Sequence, residues 1–360
     1  MPRLDSISTV FLQRGTTNRV TLNGDGLGLL DKLWASHEGV RVVPVASASG
    51  AVALEGSAGG IEVKASEPSK ARMVDLVLGP DVPLGAHEVR VSGPGGVSNP
   101  VTFQVSDHAE IAEPSGTAAA PSAPVLMPPV GVSGKIGASA EADHYRLRLK
   151  SGDRLVLDVQ ANRSGSSLDG TLVVLDTNGK ELARSEDAHG LDPFLDFKAP
   201  GDGEFVVRLN DLRHQGGDRH TYRLVVRAGP YVETLFPFGG RRGSTVEVAL
   251  QGHALEGADK LTLSLAADAP MGRQDVRART RAGFSNPVGF EVGDLPEVLE
   301  AEPNDASDKA TAATGAVVFN GRVGKAGDVD VFRFKSPGDQ RWVAEVFARR
   351  FGSPLDVLLT

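Results

Sequence analysis

The sequence predicts an all-β protein built from tandem β-sandwich modules. The first reason is composition, because 43 glycines and 22 prolines accompany short alternating valine and leucine runs in 360 residues. That pattern is typical of short strands joined by tight turns. The second reason is an internal repeat: residues 97–105 (VSNPVTFQV) return as residues 284–292 (FSNPVGFEV), and Ala-Glu-Pro follows each copy. Repeats in a fixed order indicate an array of similar units, so two module types, A and B, alternate as A-B-A-B.

Module A1 covers 6–107, and module A2 covers 231–294. In A1, residues 20–22 and 87–91 have the polar and apolar alternation of half-buried strands. Residues 22–24 (LNG) return in A2 as 250–252 (LQG). A1 contains extra sequence between Leu33 and Asp81 that A2 does not have. We therefore expect A2 to be a trimmed module that lacks a hairpin.

Module B1 covers 110–229 and contains most of the clear strand patterns. Asn178-Gly179 is the signal of a two-residue hairpin turn, and the short connections predict antiparallel pairing throughout. The Ala/Pro-rich stretch 112–130 is expected to form a strap along the sandwich. The predicted strands are 145–149, 154–161, 171–176, 181–184, 204–209 and 221–226.

Module B2 covers 298–360 and is expected to be truncated. Residues 341–346 (RWVAEV) align with the B1 strand at 154–159, and residues 352–356 (GSPLD) align with 165–169. Thr360 falls just after the counterpart of Leu172, so the 360 residues contain only the N-terminal half of this module. We expect the apolar segment 355–359 to be partly disordered or prone to aggregate through an exposed edge.

Charge and residue usage narrow the classes of function. The net charge is −8 and no segment gathers a basic stripe, which argues against nucleic acid or an anionic membrane as partner. The absence of cysteine removes disulfides and thiolate metal sites. No apolar run approaches the length of a membrane span, and residues 1–5 lack the apolar core of a signal peptide.

The repeated motifs resemble two bacterial families. The Ser-Asn-Pro-Val strands and residues 239–248 (GGRRGSTVEV) make the A modules similar to immunoglobulin-like IPT/TIG modules of bacterial surface proteins. The B modules resemble pre-peptidase C-terminal (PPC) domains, which are related to the collagen-binding domains of secreted collagenases. Their motifs are EAEPND at 300–305, GDVDVF at 327–332 and GSPLD at 352–356. The resemblance implies jelly-roll-like sandwiches in a secreted or surface-exposed bacterial protein, with binding or structural roles.

The acidic entrance of B2 is the best candidate site. Glu300, Glu302 and Asn304 alternate, so an extended segment places them on one face, and Pro303 favours that extension. Carboxylate and amide oxygens are the hard ligands that Ca²⁺ takes, six to eight at a time. The alternative is a solvated acidic linker. In the resembled domains this region binds calcium, which implies as ligands Glu300, Glu302, Asn304, Asp305, Asp328 and Asp330.

B1 departs from the calcium pattern at the equivalent positions. Ile111, Ser115 and Gly116 replace Glu300, Asn304 and Asp305, and only the acids Glu113, Glu141 and Asp143 remain. Three acids are a poor cage for calcium. We expect B1 to be a metal-free structural sandwich.

Enzymatic signatures are missing from the sequence. The eight histidines are scattered, with no His-Glu-x-x-His and no Gly-x-Ser-x-Gly elbow. His214 and His220 lie with Asp211 and Asp218 in a glycine-rich stretch that is interpreted as a hairpin loop. Trp342 is expected in a core, on an alternating strand. Trp34, if exposed, is the aromatic residue to consider for ligand contact.

These observations predict a non-catalytic modular protein of spacer and binding or adhesion modules, with a calcium-stabilised junction at B2. Its expected location is extracellular or at the cell surface, with the periplasm as the other choice. The partners considered are an extracellular protein matrix or a glycan. The main alternative is an accessory region of a secreted peptidase whose catalytic domain lies outside these residues. Fold analogy carries most of this prediction, and fold alone does not fix function.

Overall fold

The computed structural model describes residues 2–27, 32–45, 70–114, 120–336 and 338–360. Within these ranges the regular structure is β-strand, apart from the short 3₁₀ helices Ala120–Ser122, Asn162–Ser164 and Arg349–Phe351. The all-β prediction with several sandwich-like modules is confirmed. The chain divides into two compact units, Met1–Arg227 and Ala228–Thr360.

The A1 region forms two sheets, in the orders β1-β3-β6-β5 and β2-β9-β7-β4, and β8 pairs with β7 at the edge. Alternate residues of both sheets, among them Leu22, Leu76, Val89 and Phe103, are buried in one apolar cluster. The strands are β1 (Arg3–Ile7), β2 (Phe11–Gln13), β3 (Thr17–Asp25), β4 (Lys32–Ala35), β5 (Val40–Pro44), β6 (Ala71–Leu78), β7 (Gly85–Gly93), β8 (Gly96–Val97) and β9 (Val101–Ser106).

The B1 region contains the largest apolar core, which fills the space between two sheets. All six predicted strands are present, and sequence reasoning missed β10, β11 and β16. The sheets run β10-β11-β18-β13-β16 and β12-β17-β14-β15. The strands are β10 (Ala109–Ala112), β11 (Val130–Lys135), β12 (Ala142–Leu149), β13 (Arg154–Gln160), β14 (Gly170–Leu175), β15 (Glu181–Ser185), β16 (Phe194–Lys198), β17 (Gly203–Asp211) and β18 (Thr221–Ala228).

The strap predicted along B1 is observed over the part of 112–130 that the structure describes. Ala123 and Leu126 are buried, and Leu126 belongs to the B1 core. The backbone N–H groups of Leu126 and Arg146 donate to the carbonyls of Arg146 and Pro124, each at 2.8 Å. The strap therefore extends the edge of β12, where it covers an otherwise unpaired strand. Residues 115–119 of the predicted strap lie outside the described residues.

The A2 region repeats A1 with narrower sheets, β19-β21-β22 and β20-β26-β23, and a small hairpin, β24-β25. Phe290 and Val248 are at the centre of its core. The strands are β19 (Tyr231–Phe236), β20 (Gly239–Arg241), β21 (Thr245–His253), β22 (Lys260–Ser264), β23 (Gly272–Val276), β24 (Arg279–Thr280), β25 (Gly283–Phe284) and β26 (Val288–Gly293).

The prediction that A2 lacks a hairpin of A1 falls largely on residues 46–69, which lie outside the described residues, but the described strands show a difference of their own. Leu261 of β22 pairs with Val248, as Val74 of β6 pairs with Val20 in A1. In A2, all of whose residues are described, β4 and β5 therefore have no counterpart. Because β4 pairs with β7 and β5 with β6, A2 lacks one edge strand from each sheet. Loss of edges leaves the interior pairings of both sheets intact.

The prediction of antiparallel pairing throughout B1 is wrong, because β10 pairs in parallel with β11. Parallel pairs also occur in the A regions, where β2 pairs with β9 and β20 with β26. In the A regions, β2 and β20 follow the first strand but join the opposite sheet, beside the last strand. In B1, residues 113–129 are long enough for the crossover that a parallel pair requires. A short connection restricts pairing only between strands that follow one another along the chain. β2 and β9 are not consecutive, nor are β20 and β26, while β10 and β11 are consecutive but joined by a long connection.

The B2 region is described as short parallel pairs followed by irregular chain. Its strands are β27 (Glu297–Leu299), β28 (Thr311–Thr314), β29 (Val318–Asn320) and β30 (Phe332–Lys335). Pairing joins β27 with β29 and β28 with β30.

The strand predicted at 341–346 is not formed, and Trp342 is half-buried instead of lying in a core. Its Nε1 donates to Ser336 Oγ at 2.7 Å, and its ring packs against Phe334 at 5.2 Å. In B1 the strand that aligns with these residues, β13, lies between β18 and β16. The predicted disorder of 355–359 stays a prediction; Leu358 in that segment is 85% exposed.

Within the first unit, a buried polar cluster joins the A1 and B1 regions. Arg223 forms an ion pair with Glu110, and its guanidinium lies 4.0 Å from the ring centre of Phe11. His108 Nε2 is 3.1 Å from Glu110. Burial alone would lower the pKa of His108, but hydrogen bonds to Asp107 and Glu110 outweigh burial and raise that pKa. Burial likewise opposes ionisation of Glu110, yet His108 and Arg223 lower its pKa.

The repeated Ser-Asn-Pro motif closes each A region. Asn99 accepts from the Leu4 N–H at 3.0 Å and donates to the Leu4 carbonyl at 2.7 Å. Asn286 makes the same pair of bonds with Val232, at 2.7 and 2.8 Å. The side-chain amide thus satisfies a donor and an acceptor of the first strand that would otherwise be left unpaired.

The glycine that ends each of the repeated segments 22–24 and 250–252 also helps to pair the first strand of its module. A Cβ atom on Gly24 would lie 1.9 Å from the carbonyl oxygen of Arg3, and one on Gly252 would lie 2.0 Å from that of Tyr231. Only glycine admits such a close approach of two backbones. The Ser-Asn-Pro motif therefore supplies hydrogen bonds to the first strand, and the glycine allows the neighbouring strand to approach it closely.

We predict that Asn99→Ala destabilises A1 by about 1–3 kcal/mol, because it leaves the N–H and carbonyl of Leu4 without partners. Urea unfolding is followed by the fluorescence of Trp34, with Trp342→Phe as background. The control is Asn178→Ala, in an exposed turn, which should cost less than about 0.5 kcal/mol. Equal losses in both variants would contradict the role of Asn99.

Candidate metal centre

Three predicted ligands meet at the entrance of B2. Glu300, Glu302 and Asp330 each place one carboxylate oxygen so that the three oxygens lie within 4.8 Å of one another. Glu300 and Glu302 follow β27, and Asp330 precedes β30. Carboxylates this close repel each other unless a proton or a cation neutralises them.

The backbone around Gly321 shapes the cluster. The Glu300 N–H donates to the Asn320 carbonyl at 2.9 Å, and Glu300 Oε1 accepts from the Arg322 N–H at 2.7 Å. These bonds fix Glu300 beside Gly321. A Cβ atom on Gly321 would lie 2.8 Å from Glu300 Oε2 and 3.3 Å from Asp330 Oδ2. The missing side chain therefore leaves the space in which the acidic oxygens gather.

Burial and the nearby negative charges both act on the carboxyls of this cluster. Burial raises the pKa of Asp330, and the charges of Asp328, Glu302 and Asp305 raise it further. Burial also raises the pKa of Glu300; the Arg322 backbone bond opposes this, and the charges of Asp330 and Glu302 add to it. Both carboxyls are thus harder to ionise in the folded chain than in water.

Unpartnered polar atoms occur in two residues of the cluster and in Asn304, which lies two positions after Glu302. Asn304 is 0% exposed, and neither atom of its side-chain amide has a hydrogen-bond partner among the described residues. Within those residues, Glu300 Oε2 and Asp330 Oδ1 are also buried without a partner. Burying such groups costs free energy unless they bind something. The set offers carboxylate and amide oxygens, which are the donors that calcium selects.

The remaining two predicted ligands differ in position. Asp328 Oδ2 accepts from the Gly324 N–H at 2.6 Å, and its Oδ1 is 3.8 Å from Lys325 Nζ. Asp328 is therefore held by its own loop and is not in the three-residue cluster. Asp305 is exposed, although its charge acts on Asp330.

B1 fills the equivalent space with a tyrosine, which sequence reasoning missed. Tyr222 donates to Asp143 Oδ2 at 2.7 Å, and its hydroxyl lies 2.5 Å from that of Tyr145. A Cβ atom on Gly134 would lie 2.4 Å from the Tyr222 hydroxyl. Glu113 and Glu141 accept from the N–H groups of residues 135 and 138. With these acceptors engaged by the protein, the geometry favours the metal-free interpretation of B1.

The other sequence candidates do not assemble into a site. Asp211 Oδ1 accepts from the N–H groups of residues 213 and 215, both at 2.9 Å, and Asp218 pairs with Lys135. Both ring nitrogens of His220 are buried without partners among the described residues. Trp34 is 37% exposed and lies 5.9 Å from the Arg90 guanidinium.

Comparison with known proteins adds one relative. The chain is 37% identical over 86 residues to a probable subtilase-type serine protease of Deinococcus radiodurans, a match that covers 23% of this chain and 12% of the protease. The chain thus spans only a small part of that protein's length. No family model matches.

Two solved structures illustrate the structural similarities. The pre-peptidase C-terminal domain of a collagenase from Bacillus anthracis has a TM-score of 0.25 at 18% identity, covering 29% of this chain and 94% of that domain. The secreted serine protease VesC from Vibrio cholerae has a TM-score of 0.21 at 13% identity, covering 63% of this chain and 49% of that one. Among the described residues, no helix is long and apolar enough to cross a membrane.

We predict that Tyr222→Phe weakens the B1 core by about 1.5–3 kcal/mol, because it removes a hydrogen bond to a buried carboxylate. Tyr145→Phe should cost less, since Tyr222 can still donate to Asp143. Amide hydrogen exchange of β12 and β17 measures the change in opening free energy. Tyr231→Phe, in the other unit, is the control and should leave that exchange unchanged. A larger effect of Tyr145→Phe would show that the bond to Asp143 is not the important one.

Proposed function

We propose that this chain is a non-catalytic region of a secreted or cell-surface bacterial protein, built from spacer and binding modules. The observation that carries the proposal is the architecture. Apolar β-sandwich cores account for the larger buried clusters of the described chain, and the repeated residues secure strands, as Asn99 and Asn286 do. The alternation of IPT/TIG-like and PPC-like modules, with bounds 6–107, 110–229, 231–294 and 298–360, belongs to this proposal.

A second candidate is that the chain is the accessory region of a secreted peptidase. The partial match to a subtilase-type protease favours it. In this version the catalytic domain lies elsewhere in the same polypeptide. The modules would then localise the peptidase and capture its substrate, and they would take no part in bond cleavage.

We predict that the purified 360-residue chain does not hydrolyse casein, even at micromolar concentration. Activity that survives repurification and is lost on unfolding would overturn the non-catalytic proposal. Sequencing the gene through both ends of the reading frame separates the two candidates. A fused serine-protease domain supports the accessory role, and a frame without one rejects it.

We also propose that the B2 entrance binds calcium through Glu300, Glu302 and Asp330, with Asn304 and Asp305 beside them. Burial and, with it, the charges of neighbouring acids raise the pKa values of Glu300 and Asp330, and calcium would neutralise the repulsion among these acids. Support comes from the unpartnered buried oxygens and from the space left at Gly321. Asp328 is retained as an outer contributor of charge, since Gly324 already occupies one of its oxygens.

The calcium centre would also stiffen the junction between A2 and B2. Arg322, whose N–H binds Glu300, places its guanidinium 3.9 Å from the ring centre of Phe236. Ordering Glu300 around a cation therefore orders the segment that contacts A2. This extends the expectation, made from sequence, of a calcium-stabilised junction.

We predict that calcium at about 100 times its Kd raises the stability of this region by about 2.7 kcal/mol relative to EDTA. Trp342 fluorescence during unfolding, with Trp34→Phe as background, reports the change. Asp330→Asn should abolish the calcium effect, while Asp308→Asn, at an exposed acid outside the cluster, should keep it. No difference between calcium and EDTA would remove the metal proposal.

The sign of the pH dependence follows from the raised pKa values. In EDTA, Glu300 and Asp330 contribute stability below their unfolded pKa values near 4, and this contribution is lost as pH rises through their folded values. Calcium needs the ionised forms. The calcium-induced gain should therefore grow from pH 4 to pH 7, and a gain that shrinks over this range would contradict the assignment.

A further inference from the structure

A cleft lies on the outer face of the B1 sheet β12-β17-β14-β15, far along the chain from the acidic cluster. Val207 and Leu209 of β17 point into the core, so the alternate residues Arg208 and Asn210 project outward. The cleft has a volume of about 370 Å³, which is within the usual range for small-molecule sites. Its polar lining is Thr171, Arg184, Arg208, Asn210 and His214.

Strand register places the two arginines on either side of one residue. Val173 of β14 pairs with Arg208 on β17 and with Arg184 on β15. Neighbouring strands are about 4.8 Å apart, so the two arginine backbones are separated by about 10 Å. Thr171 pairs with Asn210 in the next outward row. Two guanidinium groups, an amide and a hydroxyl thus share one patch of sheet.

The cleft is rich in donors that the protein leaves unused. Arg208 forms no ion pair among the described residues, and its Nε is buried without an acceptor there. Thr171 is 2% exposed, and its hydroxyl also has no partner within the described chain. Arg184 is held in place by Glu181 at 2.8 Å and Glu186 at 3.3 Å. The hydrogen bond from Arg184 and the charges of Arg184 and Arg208 lower the pKa of Glu181, so the two arginines share that carboxylate, and the buried Nε of Arg208 is the guanidinium donor without an acceptor among the described residues.

The rim of the cleft is fixed in an unusual backbone conformation. His214 has φ of 56° and Ala140 has φ of 61°, a region that non-glycine residues rarely adopt. The Ala140 N–H and the Ser139 hydroxyl both donate to the His214 carbonyl, at 3.0 and 2.8 Å. Such strain persists where surrounding bonds enforce it, and it clusters at ligand sites.

We propose that this cleft binds the oxyanion of an acidic saccharide unit, either a carboxylate or a sulfate ester. Arg208 would supply the charge that matches either group, since guanidinium pairs well with planar and tetrahedral oxyanions. Asn210 and Thr171 match sugar hydroxyls, and Leu212, which lines the cleft and is 40% exposed, offers an apolar wall for ring carbons. This binding site is independent of the calcium centre. It specifies a ligand class, acidic saccharides, which the general binding role proposed above does not specify.

The test is calorimetric titration of the whole chain with glucuronate, galactose 6-sulfate and glucose. At least one acidic sugar should bind about 10-fold or more tighter than glucose, and about 0.5 M salt should weaken that binding by screening. The tighter of the two acidic sugars identifies the oxyanion. Absence of binding by both up to about 10 mM, which corresponds to less than 3 kcal/mol, would overturn the proposal. So would equal binding of glucose.

Two variants separate binding from folding. Arg208→Gln should weaken binding about 10-fold or more, the cost of losing a charged hydrogen bond, whereas Arg148→Gln, on β12 of the same sheet and outside the cleft lining, should not. Thr171→Val should weaken binding about 3-fold or more without lowering the melting temperature, since the hydroxyl it removes has no protein partner. If Arg208→Gln and Arg148→Gln weaken binding equally, the interaction is a nonspecific attraction between charges, and the proposed site is rejected.

Discussion

The A modules depend on one side-chain amide that pairs as a backbone peptide does. The first strand shifts register after Leu4 in A1 and after Val232 in A2, and at these residues Asn99 and Asn286 supply the missing donor and acceptor. Without the amide, the shift would leave part-buried backbone groups unpaired. The preceding serine acts on the neighbouring turn: Ser98 and Ser285 accept from the N–H groups of residues 91 and 278. A repeated tripeptide thus encodes two hydrogen-bond closures.

The B modules differ in the atoms that occupy the space beside one repeated glycine. At Gly134 the Tyr222 hydroxyl occupies it and donates to Asp143. At Gly321 acidic oxygens surround it, and they repel one another. One backbone design therefore accepts two chemistries. In B1 a neutral hydroxyl occupies this space, whereas in B2 carboxylate oxygens gather there, where we propose that a cation binds.

Local pattern predicted the B1 strands because their alternation and turn residues lie within a few positions of each other. It failed where the partner is distant in sequence. The parallel pairing of β2 with β9 brings together opposite ends of a module, and no local signal marks it. Local pattern likewise does not show that Leu261 takes the sheet position of Val74, because pairing with Val248 sets that position. Similarly, the acids Glu300, Glu302 and Asp330 were recognised by type and spacing, but the hydrogen bond that holds Asp328 apart depends on a loop conformation.

The two kinds of junction show how charge is used in this chain. Where A1 meets B1, Arg223 balances Glu110 and also covers the Phe11 ring, so cation and anion both come from the protein. Where A2 meets B2, Arg322 covers Phe236, and its backbone N–H donates to Glu300. Burial and the charges of Asp330 and Glu302 raise the pKa of Glu300 despite the hydrogen bond and the charge of Arg322, so Arg322 does not balance the acidic cluster. A buried charge without a counterion is costly, and a bound cation would complete in the second junction what an arginine completes in the first.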